Sequence, residues 1–328
     1  WAGMSRPFRA NSNIADPTDQ LSVSRPYPVR VKSVWVVGVS PPQAFSCISW
    51  LKNKIFMTEK RGYLTVGNRP LFCTLFLPES QRAQWGLVIA EPFGEEKRCA
   101  SRMLVRLARN LAKQQVATLK FDFSGTGDSS GTSARAQWQH WQQELAEALQ
   151  FLQQESQAPK LALLGARASA LLAAQCAAEH PIQALLLAEP LLSGLEILDE
   201  LEKRQKIKDA IRGGTPTPPA SELWELGQNA DFAGFPVNPQ FAAQLRQVDL
   251  LESLQKCPTE CRLLLLRVTG ARKFPPAWQP VLDLLEDHPG SQSQLIKDKP
   301  FWGQLEYYES DAVIDPITEF LTASSEVK

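Results

Sequence analysis

Charged side chains gather in this chain at the points where short apolar segments end. The members of this set are Glu91, Glu95, Glu96, Lys97, Asp122, Asp128, Arg167 and Glu189. If the apolar segments are parallel strands, their carboxyl ends meet at one edge of a sheet and bring these side chains together. Carboxylates in such a cluster can transfer protons, and an arginine can bind an anion.

Three interpretations of this cluster stay open. In the first, Glu95, Glu96 or Asp128 neutralises Arg167, and the pair only holds loops together. In the second, Arg167 lies at a helix N-terminus and binds a carboxylate or phosphate group of a ligand. In the third, one of the three carboxylates acts as a general acid or base, or activates a water molecule.

Aromatic residues flank the same loops. Phe93, which shares a loop with Glu95, and Trp302, which follows the last predicted strand, are candidate substrate-binding residues beside Arg167. Trp138 and Trp141 lie on one face of a predicted helix. These tryptophans, Trp302 included, are more typical of core or lid packing than of a platform for sugars.

From Met57 onward, strand patterns alternate with helix patterns. The predicted strands are 63–66, 71–77, 86–90, 116–123, 160–164, 184–188, 262–268 and 292–297, and the predicted helices are 101–114, 134–154, 168–179, 195–211, 278–286 and 314–321. The first two strands form a hairpin around Gly67-Asn68. The alternation predicts a mostly parallel sheet with helices on both faces.

Two segments depart from this pattern. Residues 191–252 combine a charged helix, a Gly/Pro loop and aromatic-rich pieces, which predicts a helical lid inserted over the carboxyl edge of the sheet. Residues 1–56 carry seven basic and two acidic residues. We interpret them as a disordered extension or translated upstream sequence, with a basic arm that docks on a partner as the alternative. The main domain is then 57–328.

The segment Asp122-Phe-Ser-Gly-Thr-Gly-Asp-Ser-Ser-Gly131 resembles the D-x-x-G-x-G-x-S-x-G loop of the α/β-hydrolase superfamily. Phosphate binding is the alternative, but the loop lacks the P-loop lysine. The resemblance implies an α/β-hydrolase fold with a nucleophile two residues after Gly165, at the turn between a strand and a helix. Arg167 occupies that position, and a guanidinium cannot act as the nucleophile. Ser169 is the alternative nucleophile, although it should point elsewhere.

The sequence also shows no histidine and no acid at the positions that a serine triad requires. In this fold the histidine follows the last strand. His140 and His180 lie in or at the end of predicted helices, and His288 precedes the last strand, at its amino end. The loop after residue 268, where the acid belongs, contains Arg272 and Lys273.

A closer resemblance is to the exosortase A system-associated hydrolase 2 family. Glu91-Pro-Phe-Gly-Glu-Glu96 and Ser101-Arg-Met103 are similar to its P-P-F-A-E-E-M-N-K-S-R-R-M stretch. Its elbow reads G-L-R-x-G, and this chain has Gly165, Arg167 and then Ser169 in place of the last glycine. The resemblance spans 63–321 and implies association with bacterial exopolysaccharide synthesis and exosortase sorting, without supplying a reaction.

Composition, hydropathy and cysteine spacing argue against several classes of protein. The 328 residues include 35 basic and 35 acidic side chains, which argues against nucleic acid as the main partner. No apolar run is long enough to span a membrane. Cys257 and Cys261 lack the second ligand pair of a zinc site, so we expect neither a metal nor another cofactor, and reduced thiols in a cytoplasmic protein.

Two functions remain open. The chain binds or acts on an anionic carbohydrate or acyl compound, or it is an inactive scaffold that recruits exopolysaccharide-pathway proteins through its lid.

Overall fold

The computed structural model describes residues 34–36, 57–80, 82–213, 216–299, 302 and 311–323. The strands are β1 (Val34–Val36), β2 (Met57–Val66), β3 (Arg69–Pro78), β4 (Trp85–Ala90), β5 (Val116–Phe121), β6 (Lys160–Ala166), β7 (Ala184–Ala188), β8 (Ala230–Asp231), β9 (Pro236–Val237), β10 (Arg262–Val268) and β11 (Gln292–Ile296). The α-helices are α1 (Glu95–Lys113), α2 (Trp138–Ser156), α3 (Ser169–Glu179), α4 (Gly194–Arg212), α5 (Ala220–Glu225), α6 (Pro239–Arg246), α7 (Leu250–Leu254), α8 (Gln279–Leu284) and α9 (Ile314–Thr322). The predicted alternation of strands and helices is confirmed.

The main sheet has the order β1-β2-β3-β5-β4-β6-β7-β10-β11. In this order, neighbouring strands from β5 through β11 are parallel. The β1–β2, β2–β3 and β3–β5 pairs are antiparallel. The loops that follow β4, β5, β6, β7, β10 and β11 therefore emerge at one edge. These are the loops in which the sequence places the charged cluster.

Continuous apolar runs form the central strands because both faces of the sheet are covered. Every residue of β4 and β7 is buried. Helices α2 and α3 pack on one face, and α1 and α9 pack on the other. The predicted fold class, a mostly parallel sheet with helices on both faces, is confirmed.

Helix α1 begins at Glu95, six residues before the predicted start at Ser101. Its buried apolar face becomes periodic only from Cys99 and Met103 onward, so the pattern misses the first turn. Glu95 and Glu96 nevertheless suit that turn, because acidic side chains interact favourably with a helix N-terminus. The earlier start brings both carboxylates close to the strand edge.

Within 191–252, the described residues form α4 to α7 and the short β8–β9 hairpin. Helix α4 contacts α6, and α6 contacts α2. Of residues 1–56, only Val34–Val36 are described, and they pair with β2. The interpretation of 1–56 otherwise lies outside the described residues. No described helix is both long and apolar enough to cross a membrane.

Candidate functional site

Arg167 lies in the sharp turn between β6 and α3. Its φ angle is +55°, a left-handed conformation that non-glycine residues rarely adopt. Gly165 permits the tight turn, since a Cβ atom there would lie 2.6 Å from the Cα atom of Ala170. The close approach of helix to strand is therefore present although Ser169 stands where the elbow pattern quoted above has its last glycine.

Arg167 is 7% exposed, and its guanidinium contacts two carboxylates. Its Nε donates to Glu96 Oε1 at 2.9 Å, and its Nη2 donates to Glu200 Oε2 at 2.6 Å. Its Nη1 donates a longer hydrogen bond, 3.4 Å, to the carbonyl oxygen of Glu189. Each of its three nitrogens therefore has a protein acceptor.

Arg204 of helix α4 completes a closed set of contacts. Its Nη2 donates to Glu96 Oε1 at 2.6 Å and to Glu200 Oε2 at 3.1 Å. We call Arg167, Glu96, Arg204 and Glu200 the charge ring, because each carboxylate meets both guanidiniums. Burial by itself lowers the pKa of Arg167, but Glu96 and Glu200 outweigh it and raise the pKa above its ordinary value.

The charge ring joins three parts of the chain: the first turn of α1, the turn at Arg167, and helix α4. A second ion pair, between Lys208 of α4 and Glu95 of α1, lies beside it. The Glu96 contact is among those considered from the sequence. The Glu200 contact is not, because Glu200 and Arg204, four residues apart, resemble an ordinary exposed helix pair.

The serines at this edge are engaged with the backbone. Ser169 is 1% exposed, and its Oγ donates to the carbonyl oxygen of Glu91 at 2.5 Å. Ser129 Oγ donates to the carbonyl oxygen of Asp122 at 2.5 Å. Neither hydroxyl contacts an imidazole.

The histidines lie elsewhere. His288 donates from Nδ1 to the carbonyl oxygen of Cys261 at 2.9 Å, at the amino ends of β10 and β11, as predicted. His180 donates from Nδ1 to Cys176 at the end of α3, and His140 lies in α2. Among the described residues, no hydrogen bond joins a serine to a histidine.

Trp302 contacts Glu189, the residue that follows β7. Its Nε1 donates to Glu189 Oε2 at 2.8 Å, and the backbone N–H of Val268 donates to the same oxygen at 3.2 Å. Burial raises the pKa of Glu189, and Arg167 and the Trp302 hydrogen bond oppose that shift. The residue after the last strand thus binds a carboxylate through an indole, not an imidazole.

Asp122 organises the glycine-rich loop. Its Oδ1 accepts from Lys97 Nζ at 2.5 Å, and its Oδ2 accepts from the backbone N–H of Asp128 at 3.0 Å. A Cβ atom on Gly127 would lie 1.9 Å from Asp122 Oδ2, which excludes a side chain there. Asp128 contributes its amide to this loop, and its side chain is exposed.

A cavity of about 330 Å³ lies between the loop after β4 and the loop after β5. Five aromatic side chains line it: Phe93, Phe121, Phe123, Trp141 and Phe235. Its polar lining includes Glu91, Lys97, Arg98, Thr126 and Ser169. We call it the aromatic cavity. Arg167 does not line it.

A smaller cavity of about 30 Å³ lies beside the charge ring, between α4 and the start of α1. Phe93, Glu96, Glu200 and Arg204 contribute to its wall. That volume is enough for one or two water molecules. Phe93, Gly94 and Phe235 line both cavities.

The predicted site residues therefore lie near one another but do not form a single site. Arg167 and Glu96 touch in the charge ring, and Glu95 pairs with Lys208 of α4 next to them. Phe93 lines the cavities, while Trp302 and Arg167 both donate hydrogen bonds to Glu189. Asp128 shares no hydrogen bond with the ring in the described part of the chain. No group of three His, Cys, Asp or Glu side chains there is arranged to hold a metal ion.

A family model described as "Serine aminopeptidase, S33" matches residues 98–212. No curated protein matches the chain. Among solved structures, Est1E from Butyrivibrio proteoclasticus with ferulic acid bound is 14% identical, covers 79% of this chain and 96% of its own, and has a TM-score of 0.55.

Two further solved structures are similar. An esterase of Pyrococcus furiosus is 15% identical, covers 86% of this chain and 96% of its own, and has a TM-score of 0.53. A proline iminopeptidase of Mycobacterium smegmatis is 16% identical, covers 80% of this chain and 97% of its own, and has a TM-score of 0.51. At these identities the likeness shows the fold alone. The chain has the α/β-hydrolase fold.

Proposed function

We propose that this protein binds an anionic acyl compound in the aromatic cavity and does not hydrolyse it by a serine mechanism. The aromatic cavity is the observation that carries the proposal. Its volume of about 330 Å³ lies at the lower end of the range of about 300–1,000 Å³ found for small-molecule sites. Of an acyl compound and a carbohydrate, the five aromatic side chains in the wall favour the acyl compound, which gains more from burial of apolar surface.

Two features at the cavity favour an anionic group. Arg98 lines the cavity, its side chain is 73% exposed, and its pairing with Glu95 is loose, at 3.7 Å. Gly94 precedes α1 and has no side chain that accepts from the first-turn amides, which are suited to bind an anion. We assign the anion contact to Arg98 and this helix end, because Arg167 already has Glu96 and Glu200 as partners.

Binding to named probes tests this proposal. Isothermal titration of the full chain should show binding of decanoate and weaker or no binding of glucuronate, an anionic sugar. Arg98→Ala should weaken decanoate binding several-fold. Lys113→Ala, which removes an exposed cation from the far end of the same helix, should not. Tighter binding of glucuronate than of decanoate would contradict the acyl assignment.

Covalent labelling tests the absence of a serine mechanism. A fluorophosphonate probe should not label the protein, because Ser169 donates to a backbone carbonyl and lacks an imidazole partner. Labelling that Ser169→Ala abolishes would contradict this part of the proposal.

The sequence resemblance supports placing the protein in a bacterial exopolysaccharide and exosortase system. Deletion of its gene in the source bacterium should then reduce exopolysaccharide output, and the intact gene should restore it. An unchanged yield would contradict that placement. Arg98→Ala in the restoring gene would show whether ligand binding is needed.

One observation favours the scaffold alternative. Ile207 and Ile211 lie one turn apart on α4 and are 60% and 77% exposed, so they place two apolar side chains next to each other on the surface. If the protein recruits exopolysaccharide-pathway proteins through this lid, the double variant Ile207→Ser and Ile211→Ser should lose them in a pulldown and still bind decanoate. Retention of the same proteins would contradict the scaffold role.

A further inference from the structure

Glu91 is a buried carboxylate at the wall of the aromatic cavity. It follows β4, and the residue is 2% exposed. Its Oε2 lies 2.9 Å from Lys120 Nζ and 3.5 Å from Lys97 Nζ, so its charge is compensated even though neither lysine is aligned for a hydrogen bond. Its Oε1 has no hydrogen-bond partner among the described residues.

Three hydroxyl residues, Ser101, Thr126 and Ser169, line the cavity, and none of them donates to Glu91 Oε1; two of the three donate to backbone carbonyls. Ser169 Oγ donates to the backbone carbonyl of Glu91, which fixes the loop and leaves the carboxylate unsatisfied. Thr126 Oγ1 donates to the carbonyl oxygen of Phe123 at 2.9 Å. A buried acceptor without a donor is costly, so the missing donor is expected to come from what occupies the cavity.

The charges around Glu91 favour a neutral donor. Lys97 and Lys120 together balance Glu91 and Asp122, since Lys97 also contacts Asp122. Arg98 adds a further positive charge to the lining. A ligand ammonium group would therefore meet an already neutral or positive environment, whereas a hydroxyl group donates a hydrogen bond without adding charge.

We propose that Glu91 accepts a hydrogen bond from a ligand hydroxyl group, so that the cavity selects hydroxylated anionic acyl compounds over unsubstituted ones. This inference rests on the proposed function, since it requires an acyl compound in the aromatic cavity. Arg98 holds the anionic group, the aromatic wall holds the chain, and Glu91 distinguishes the hydroxylated compound.

Paired probes that differ by one hydroxyl group test the selection. Isothermal titration of the full chain with 3-hydroxydecanoate and with decanoate should give an affinity about tenfold or more higher for the hydroxylated probe, as expected for a hydrogen bond to a charged acceptor. Glu91→Gln should reduce this ratio several-fold, and Glu91→Leu should bring it close to one.

Glu147→Gln is the matched control. Glu147 also has a buried oxygen without a partner, but it lies in α2 and does not line the aromatic cavity. This variant should keep the wild-type ratio. If the control lowers the ratio as much as Glu91→Gln does, the assignment to Glu91 is overturned.

The outcomes separate this inference from the proposed function. Equal affinity of the wild type for both probes overturns the role of Glu91 and leaves the acyl site standing. Failure of both probes to bind overturns both. Because Glu91→Leu removes the partner of two lysines and can prevent folding, a crystal structure of the wild type with 3-hydroxydecanoate is the second measurement. It should place the hydroxyl oxygen within about 3 Å of Glu91 Oε1, and a hydroxyl group elsewhere in the cavity would overturn the inference.

Discussion

Replacement of Arg167 with methionine, which has a long side chain without charge, should lower the free energy of unfolding by about 3 kcal/mol. The side chain of Arg167 is 8% exposed, and that of its partner Glu96 is 7% exposed. Removal of one partner from a buried ion pair typically costs about 3–5 kcal/mol, because the other charge remains buried. The lower end applies here, since Glu96 keeps Arg204 at 2.6 Å.

Arg204→Met is the matched control within the same charge ring. It removes a guanidinium from the same two carboxylates, but the Arg204 side chain is 27% exposed, and both carboxylates keep Arg167. Solvent screening reduces the value of such a pair to about 1 kcal/mol or less. The two substitutions should therefore differ by about 2 kcal/mol, although the number of contacts removed is similar.

Urea denaturation followed by circular dichroism measures both changes. Hydrogen exchange adds a local measurement, because loss of Arg167 releases α4 from the turn after β6, and the amides of α4 should then exchange faster than those of α2. A loss below about 0.5 kcal/mol for Arg167→Met, or equal losses for the two variants, would refute the argument that burial gives the charge ring its strength.

Three other substitutions test separate parts of the site. Gly165→Ala should cost about 3 kcal/mol or more in urea unfolding, because its Cβ atom would lie 2.6 Å from the Cα atom of Ala170, whereas Gly270→Ala, with open space around it, should be nearly neutral. Burial raises the pKa of Glu189 above 4.5, so the native state holds its proton more tightly than the unfolded state, and stability present below that pH is lost as the pH rises through the raised value. Glu189→Gln should flatten this part of a pH series of urea titrations, and an unchanged slope would contradict the assignment. Arg167→Ser should leave hydrolysis of p-nitrophenyl esters at background, because no described histidine lies against this turn, and measurable turnover would show otherwise.

The sequence predicts the strands and helices well because hydrophobic patterns within each segment are sufficient to identify them. Apolar runs such as 184–188 and 262–268 match β7 and β10 residue for residue, since strands buried on both faces need no polar alternation. The amino-end position of His288 follows from the same reasoning. The start of α1 is missed because its first turn is held by charge and not by apolar packing.

The site is less predictable because its contacts join distant segments. The hydrogen bond between Arg167 and Glu200 depends on where α4 lies relative to the turn after β6, and no local pattern encodes that placement. In the sequence Glu91 likewise looks like an ordinary loop residue. Its partner Lys120 lies opposite Ile89 on the neighbouring strand, so only the sheet register shows that an ammonium group reaches Glu91. Hydrophobic patterning positions the strands, but it does not specify which charges meet where they end.

The closed arrangement of two arginines and two glutamates has a consequence for homologous chains. Reversal or loss of one charge leaves an imbalance that neither neighbouring residue can correct alone, so substitutions at these four positions should be inherited together. A homologue with serine at the position of Arg167 should also lack the acid at 200 or at 96, and its lid should be anchored by different contacts. Covariation among these three segments, which lie far apart in sequence, would then distinguish homologues with serine at this turn from homologues with the charge ring.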